Sequence, residues 1–166
     1  MKKNLIAVGI VLALGLGPIS QGVAATIPST TKAQLKYLVE EEKLARDVYT
    51  TLYVKTGLRQ FANINEAEQT HMDLVKGLLV TYGVKDPTVG REIGQFKNVE
   101  LRKLYKKLIA DGSTSLTAAL AAGVAVEEAD IADLKKMLKV SQPTDIKFVL
   151  DRLLAGSRKH LTAFTR

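Results

Sequence analysis

Four stretches of the chain repeat apolar residues at alternating intervals of three and four. That spacing keeps side chains on one face of an α-helix. The first runs from Thr31 to about Lys55, with Leu35, Leu38, Glu42, Ala45, Tyr49 and Leu52 on its seam. Gly57 marks a turn, and a second seam of Phe61, Ile64, Glu68, His71, Val75, Leu78 and Tyr82 follows, ended by Gly83. The third covers Leu116 to about Val140 through Leu120, Glu127, Leu134 and Leu138, with Val124 and Ile131 beside them. The fourth covers Asp145 to about Phe164 through Ile146, Leu150, Leu153, Ser157, His160 and Phe164. Ser29 to Thr31, Asn63 or Asn65, Ser113 to Ser115 and Thr144 offer N-terminal caps for these helices. Between the second and third seams lie turn formers at Asp86-Pro87, Gly90 and Gly94, then a short amphipathic helix from Val99 to Ala110. So long a connection is not a hairpin loop; it suits a crossover that lets the flanking helices run parallel. No strand pattern or repeat is present, and the predicted class is all-α.

Polar residues interrupt these apolar seams at corresponding places. Glu42, Glu68, His71, Glu127 and His160 take core positions, and Asp130 lies one turn past Glu127 at the seam's edge. Glu40, Glu41 and Glu128 fall to the flanks and are expected in solvent. Glu68 and His71 form a Glu-x-x-His step whose side chains share a helix face, and Ser157 and His160 occupy the equivalent slots of the last helix. A buried carboxylate or imidazole is unfavourable unless paired or bound to a metal.

The depths agree as well. Glu42 lies 15 residues before Gly57 and His71 lies 14 after it. Both are then about 21–23 Å from the turn at ~1.5 Å per residue. Glu127 lies 16 residues before Pro143 and His160 lies 17 after it. Two hairpins each set a Glu level with a His, which points to one shared site. Carboxylates and imidazoles without sulfur suit iron or manganese, with zinc an option. A bridging carboxylate can hold two ions ~3.5–4 Å apart, and Asp130 is the extra acid nearest to hand.

Composition narrows the picture. The chain has no cysteine, which excludes disulfides, thiolate-bound zinc and iron–sulfur clusters. The net charge is +7, of which Lys2 and Lys3 supply two. The clusters Arg102-Lys103-Lys106-Lys107 and Arg158-Lys159 read as solvated helix faces rather than a nucleic-acid footprint. Lys2 and Lys3, the apolar run from Leu5 to Leu16, and the small residues Gly22 to Ala25 form a secretory signal peptide pattern. Residues 1–25 are thus expected to be a cleaved leader and 26–166 a single domain, placed in the periplasm or outside the cell. The apolar run is shorter than the ~20 residues of a membrane span, so no stable anchor is expected after cleavage.

These residues resemble a known group of proteins. Glu42-Lys43-Leu44-Ala45-Arg46-Asp47-Val48-Tyr49 is similar to the first-helix motif of rubrerythrin-type ferritin-like proteins. Glu68-x-x-His71 is similar to their second-helix motif, and Glu127 to their third-helix ligand. From Leu38 to Phe164 the chain more closely resembles the DUF2202 family of that superfamily. The shared marks are Glu41 to Tyr49, Glu68-Gln69-x-His71-Met72, Gly112-Ser113-x-Ser115-Leu116, Glu127-Glu128-x-Asp130-Ile131-x-Asp133-Leu134 and Gly156-Ser157-x-x-His160-Leu161-x-Ala163-Phe164. The resemblance implies an antiparallel four-helix bundle of ferritin type, its long crossover carrying the short extra helix. It further implies a centre for two Fe or Mn ions, held by Glu42, Glu68, His71, Glu127 and His160 with Asp130, and bridged by Glu68. Tyr49, one heptad after Glu42, is a candidate radical or hydrogen-bonding neighbour. One departure concerns Ser157, which stands where rubrerythrins carry a ligand Glu.

Three functions follow as expectations. The first is a di-metal oxidoreductase, a ferroxidase- or peroxidase-like protein acting on O₂, peroxide or Fe²⁺. With no cysteine-bound redox module in the chain, it would draw on an external electron donor. The second is a metal-carrying bundle without turnover, which the absent fourth carboxylate favours; one ion in place of two fits that reading. The third is a metal-free structural bundle. The expected partners are metal ions and a small oxygen-type substrate; a homodimer is an allowed assembly.

Overall fold

The computed structural model describes residues 26–140 and 142–166. The expected leader, and Ser141 at the last helix break, lie outside the described residues. Five helices and no strand form among those residues: α1 (Ser29–Thr56), α2 (Arg59–Thr81), α3 (Val99–Gly112), α4 (Leu116–Leu138) and α5 (Thr144–Phe164). Among these described residues, no helix is long and apolar enough to cross a membrane.

The helix ends follow local chemistry, with three differences from the sequence expectation. Gly57 closes α1 in the left-handed conformation (φ 69°), its N–H bonding the Tyr53 carbonyl, a geometry that glycine adopts without strain. Asn98 caps α3 through its side chain, and Ser115 caps α4 by accepting from Ala118 N–H. At α1 and α5, however, prolines hold the cap position. Pro28 and Pro143 precede helices that begin at Ser29 and Thr144, with no side-chain cap. The second helix begins earlier than Asn63. Leu58 alone separates it from Gly57, so Asn65 lies inside α2 and its amide spans to α1, donating to the Arg46 carbonyl and to Thr50 Oγ1.

The four long helices form a square in which α1 touches α2 and α4, and α5 touches α2 and α4. The hairpins α1–α2 and α4–α5 are antiparallel by connection. The cross-hairpin neighbours are antiparallel too. Tyr49 meets Glu127 at one level of α1–α4 while Tyr37 and Asp133 share a cleft further along. On α2–α5, Tyr82 donates to Asp145 at 2.7 Å and His71 lies against Gly156. The crossover from 84 to 98 and α3 therefore return the chain so that α2 and α4 run parallel across the diagonal.

Two apolar clusters fill this square. One joins Leu35, Leu38, Val75, Leu78, Leu134, Ile146, Leu150 and Leu153; the other joins Val48, Tyr49, Leu52, Phe61, Val126 and Phe164. In the second cluster the inward stripe of α4 is Ala119, Ala122, Gly123 and Val126, while Leu120 and Val124 are only half-buried. The aromatic trio of Tyr49, Phe61 and Phe164, with centroids 5.2–5.8 Å apart, already fills that volume. A methyl on Gly123 would sit 2.9 Å from Phe164 ring carbons. Small residues therefore face inward here, against the size-based reading of the seam. Between the two clusters lies a layer of buried polar side chains.

Candidate metal centre

Every helix of the square contributes to this layer. Glu41 and Glu42 come from α1, Glu68 and His71 from α2, Glu127 and Asp130 from α4, and Ser157 and His160 from α5; all are buried. Glu42, Glu68 and Glu127 are at most 2% exposed, while the imidazoles of His71 and His160 are the most open members at 7% and 9%.

The side chains form one continuous string. His71 Nδ1 lies 3.3 Å from Glu42 Oε2 and 3.0 Å from Glu68 Oε2. The other oxygen of Glu68, Oε1, lies 2.8 Å from His160 Nδ1, which is 3.5 Å from Glu127 Oε1. The Tyr49 hydroxyl donates to that same Glu127 oxygen at 2.6 Å. Glu68 is the hub, one oxygen towards each imidazole, and the two rings stack with centroids 5.4 Å apart. Donor atoms of Glu68, His71 and His160 all lie within 4.8 Å of one another, close enough to share an ion.

The electrostatics follow from crowding acids in a dry layer. Burial raises Glu42 to about 8 and Glu127 to about 7, with the nearby imidazoles of His71 and His160 respectively opposing it. Burial would lift Glu68 too, but contact with His160 and His71 outweighs this and brings it down to about 2. Burial would lower the imidazoles, yet the carboxylates hold His71 up at about 10 and His160 at about 9. Asp130 is pushed well above the usual carboxylate range by burial and then by the charge of Glu42. Without a cation, protons thus neutralise the cluster.

The donor set fits a metal by its unused lone pairs. Among the described residues, the carboxylate oxygens Glu41 Oε2, Glu42 Oε1, Glu68 Oε1 and Asp130 Oδ1 are buried without a hydrogen-bond partner. His160 Nδ1 and Glu68 Oε1 are 2.8 Å apart, but the ring N–H direction is misaligned for a bond between them. Orphaned buried acceptors are rare in folded chains. Here they cluster in one layer, on atom types that suit hard or borderline cations.

All six residues expected as ligands therefore reach one layer, and Tyr49 borders it through Glu127. Ser157 does not stand alone in the slot of the missing carboxylate: its one hydroxyl proton is shared between Asp130 Oδ2 and the Leu153 carbonyl. The expectation for Glu40 and Glu41 is overturned, since both are buried, at 4% and 6% exposure. The Glu40 carboxylate accepts from the N–H groups of Lys97 and Asn98 and so ties the crossover to α1. Glu41 joins the polar layer, because the α1–α4 contact closes over a flank that periodicity assigns to solvent. Glu128 is exposed as expected.

The sequence reading also missed a buried anchor. Lys43 bonds Asp47 and the Glu92 carbonyl and lies 4.7 Å over the Phe96 ring, while Asp47 accepts from Gly94 N–H. Arg46 links Asp47 to Gln69, the neighbour of Glu68. The spacing of Lys43 and Asp47 at i and i+4 was the available signal. Each polar residue of Glu40 to Tyr49 thus either enters the layer or braces its walls.

A family described as an uncharacterized protein domain, DUF2202, matches residues 31–166. This chain belongs to the DUF2202 family. Within its matched span lie all the side chains of the polar layer. An uncharacterized protein, MJ0754, of Methanocaldococcus jannaschii is 49% identical over 140 residues, covering 84% of this chain and 76% of that one. The crystal structure of hypothetical protein MJ0754 from Methanococcus jannaschii is similar, with a TM-score of 0.82 at 48% identity. That match covers 84% of this chain and 80% of the solved one.

Proposed function

We propose that this DUF2202 chain is an exported ferritin-like bundle whose polar layer holds two Fe or Mn ions. In this reading it acts as an oxidoreductase on O₂, peroxide or Fe²⁺. The observation that carries the reading is the buried string Glu42–His71–Glu68–His160–Glu127, with four lone-pair atoms left unpartnered beside it. Glu42, Glu68 and His71 would hold one ion, and Glu127, His160 and Glu68 the other. Asp130 supplies the acid absent at Ser157. Such ions, when bound, supply one-electron redox chemistry and open positions for a small oxygen species.

The chain's own residues do the rest. His71 and His160 turn Nδ1 inward and must shed their protons to act as donors, so uptake releases protons. Tyr49 O–H fixes the rotamer of Glu127 by its 2.6 Å bond. The apolar clusters on both sides keep bulk water from the layer. With no cysteine in the chain, electrons come from an external donor.

A second reading, a carrier without turnover, is favoured by one observation: α5 brings a buried hydroxyl, Ser157, and no carboxylate to the layer. Metal analysis of purified protein followed by peroxide consumption separates the two. Two ions per chain with peroxide turnover is the expected result. One ion and no turnover would leave the carrier. Protein that neither binds nor is stabilised by Fe²⁺ or Mn²⁺ would sink both.

A further inference from the structure

Two of the clefts beside the layer differ in charge. Between α2 and α5, a cavity of about 410 Å³ reaches His71 and is lined by Arg152 and Lys159, with no acid on its walls. Between α1 and α4, a cavity of about 450 Å³ is lined by Tyr37, Asp133 and Lys136, one acid and one base.

Below the second cleft the acids continue inward. Tyr37 and Glu41 are one turn apart on α1, and Asp133 and Asp130 one turn apart on α4. Because these helices are antiparallel, both steps lead from the cleft towards the centre. Glu41 is 94% buried by its 6% exposure, and its Oε2 has no partner. Asp130, 5% exposed, spends Oδ2 on Ser157 and leaves Oδ1 unpartnered. Burial, and after it the charges of Asp130 and Asp133, push Glu41 well above the usual carboxylate range. The imidazoles of the layer lie elsewhere, His71 against Glu42 and Glu68 and His160 against Glu68 and Glu127. Inward of Asp133 and its neighbour Lys136, the groups that lead to the centre, Glu41 and Asp130, are buried acids with no basic side chain among the described residues bonded to them.

We propose that divalent cations reach the centre along the α1–α4 seam, through a loading position at the unpartnered Glu41 Oε2 beneath the Tyr37–Asp133 cleft, from which they pass to Asp130. This rests on the two-metal reading of the centre. It assigns Glu41 a function that the resident ligands do not need, and it leaves the basic α2–α5 cleft unsuited to cations.

Stopped-flow absorbance of the full chain mixed with Co²⁺ tests the route. Glu41→Gln and Asp133→Asn should each slow loading measurably, by up to about tenfold, the lower end of the range over which charged clefts raise on-rates. The Co²⁺ bound per chain at saturation should match wild type. Arg152→Gln, in the opposite cleft, should load at the wild-type rate. Asp133 is only half-buried, so its variant keeps the test independent of any folding defect in Glu41→Gln. Loading at the wild-type rate in both acid variants would overturn the route while the centre stands. A lower saturation ratio in Glu41→Gln at an unchanged rate would make Glu41 a resident ligand and also overturn it. A wild-type chain that takes up no Co²⁺ would overturn the centre itself.

Discussion

Ser157 on α5 donates its hydroxyl to Asp130 on α4. The bond brings a carboxylate from one helix into the slot that a neighbouring helix leaves short of one. It also fixes one Asp130 oxygen and leaves the other bare in the buried layer.

From this relationship comes the first prediction. Asp130→Asn should lower bound Mn²⁺ from two ions per chain to one, read by plasma emission after dialysis. Moving the acid across the bond, with Asp130→Ala and Ser157→Glu together, should restore the second ion. A double variant that stays at one ion would show that the slot tolerates a carboxylate from α4 alone.

Glu68 and Glu40 should behave oppositely. Glu68 touches both imidazoles, so Glu68→Ala should abolish metal binding in calorimetric titration. Glu40 holds the crossover through Lys97 and Asn98 N–H. Glu40→Ala should keep metal binding but lose about 1–3 kcal/mol of urea stability, the scale for charge-assisted hydrogen bonds. Equal loss of metal in both variants would overturn the inward assignment of Glu68 alone.

Gly156 gives a third test. A Cβ there would stand 2.5 Å from His71 Cε1, so the ring must shift. Gly156→Ala should destabilise the metal-free protein by about 1–3 kcal/mol, as overpacking does, and weaken Mn²⁺ affinity with it. Gly77→Ala, where nothing lies within 4 Å of the added carbon, is the control and should do neither.

Tyr49→Phe removes the donor to Glu127 and keeps the aromatic contacts. A loss of about 1–3 kcal/mol in the metal-free protein is expected from a buried acceptor left bare. Chemical denaturation reads it directly.

The pH dependence has a definite sign. In the metal-free protein His71 and His160 are raised from 6.5 to about 10 and about 9. Their contribution is complete below the unfolded value and is lost as pH rises through the folded ones. Glu42 and Glu127, raised from 4.5 to about 8 and about 7, act in the same direction at lower pH. Melting temperature without metal should therefore fall from roughly pH 4.5 to pH 10. The increment added by Mn²⁺ should grow over the same range, because ligands bind only after losing protons. Thermal melts with and without Mn²⁺ check both trends, and a flat metal-free profile would contradict the coupling.

Much of this protein was legible as pattern. Helical periodicity located five helices, and its phase put Glu42, Glu68, His71, Glu127 and His160 inward, because one face of each helix must leave water. Counting from Gly57 and Pro143 set them level, because helical rise is constant. Periodicity could not place Glu40, Glu41, Lys43 and Asp47. Their burial comes from α4 and the crossover closing over the flanks of α1, a contact between segments distant in sequence. Likewise Gly123 faces inward because Phe164 needs the space, and Gly156 because the His71 ring does. The partner of Ser157 was decided only when α4 and α5 came together, since a hydrogen bond depends on where two side chains end. The sequence by itself determined which residues must find partners in the interior; the tertiary structure decided which partners they found.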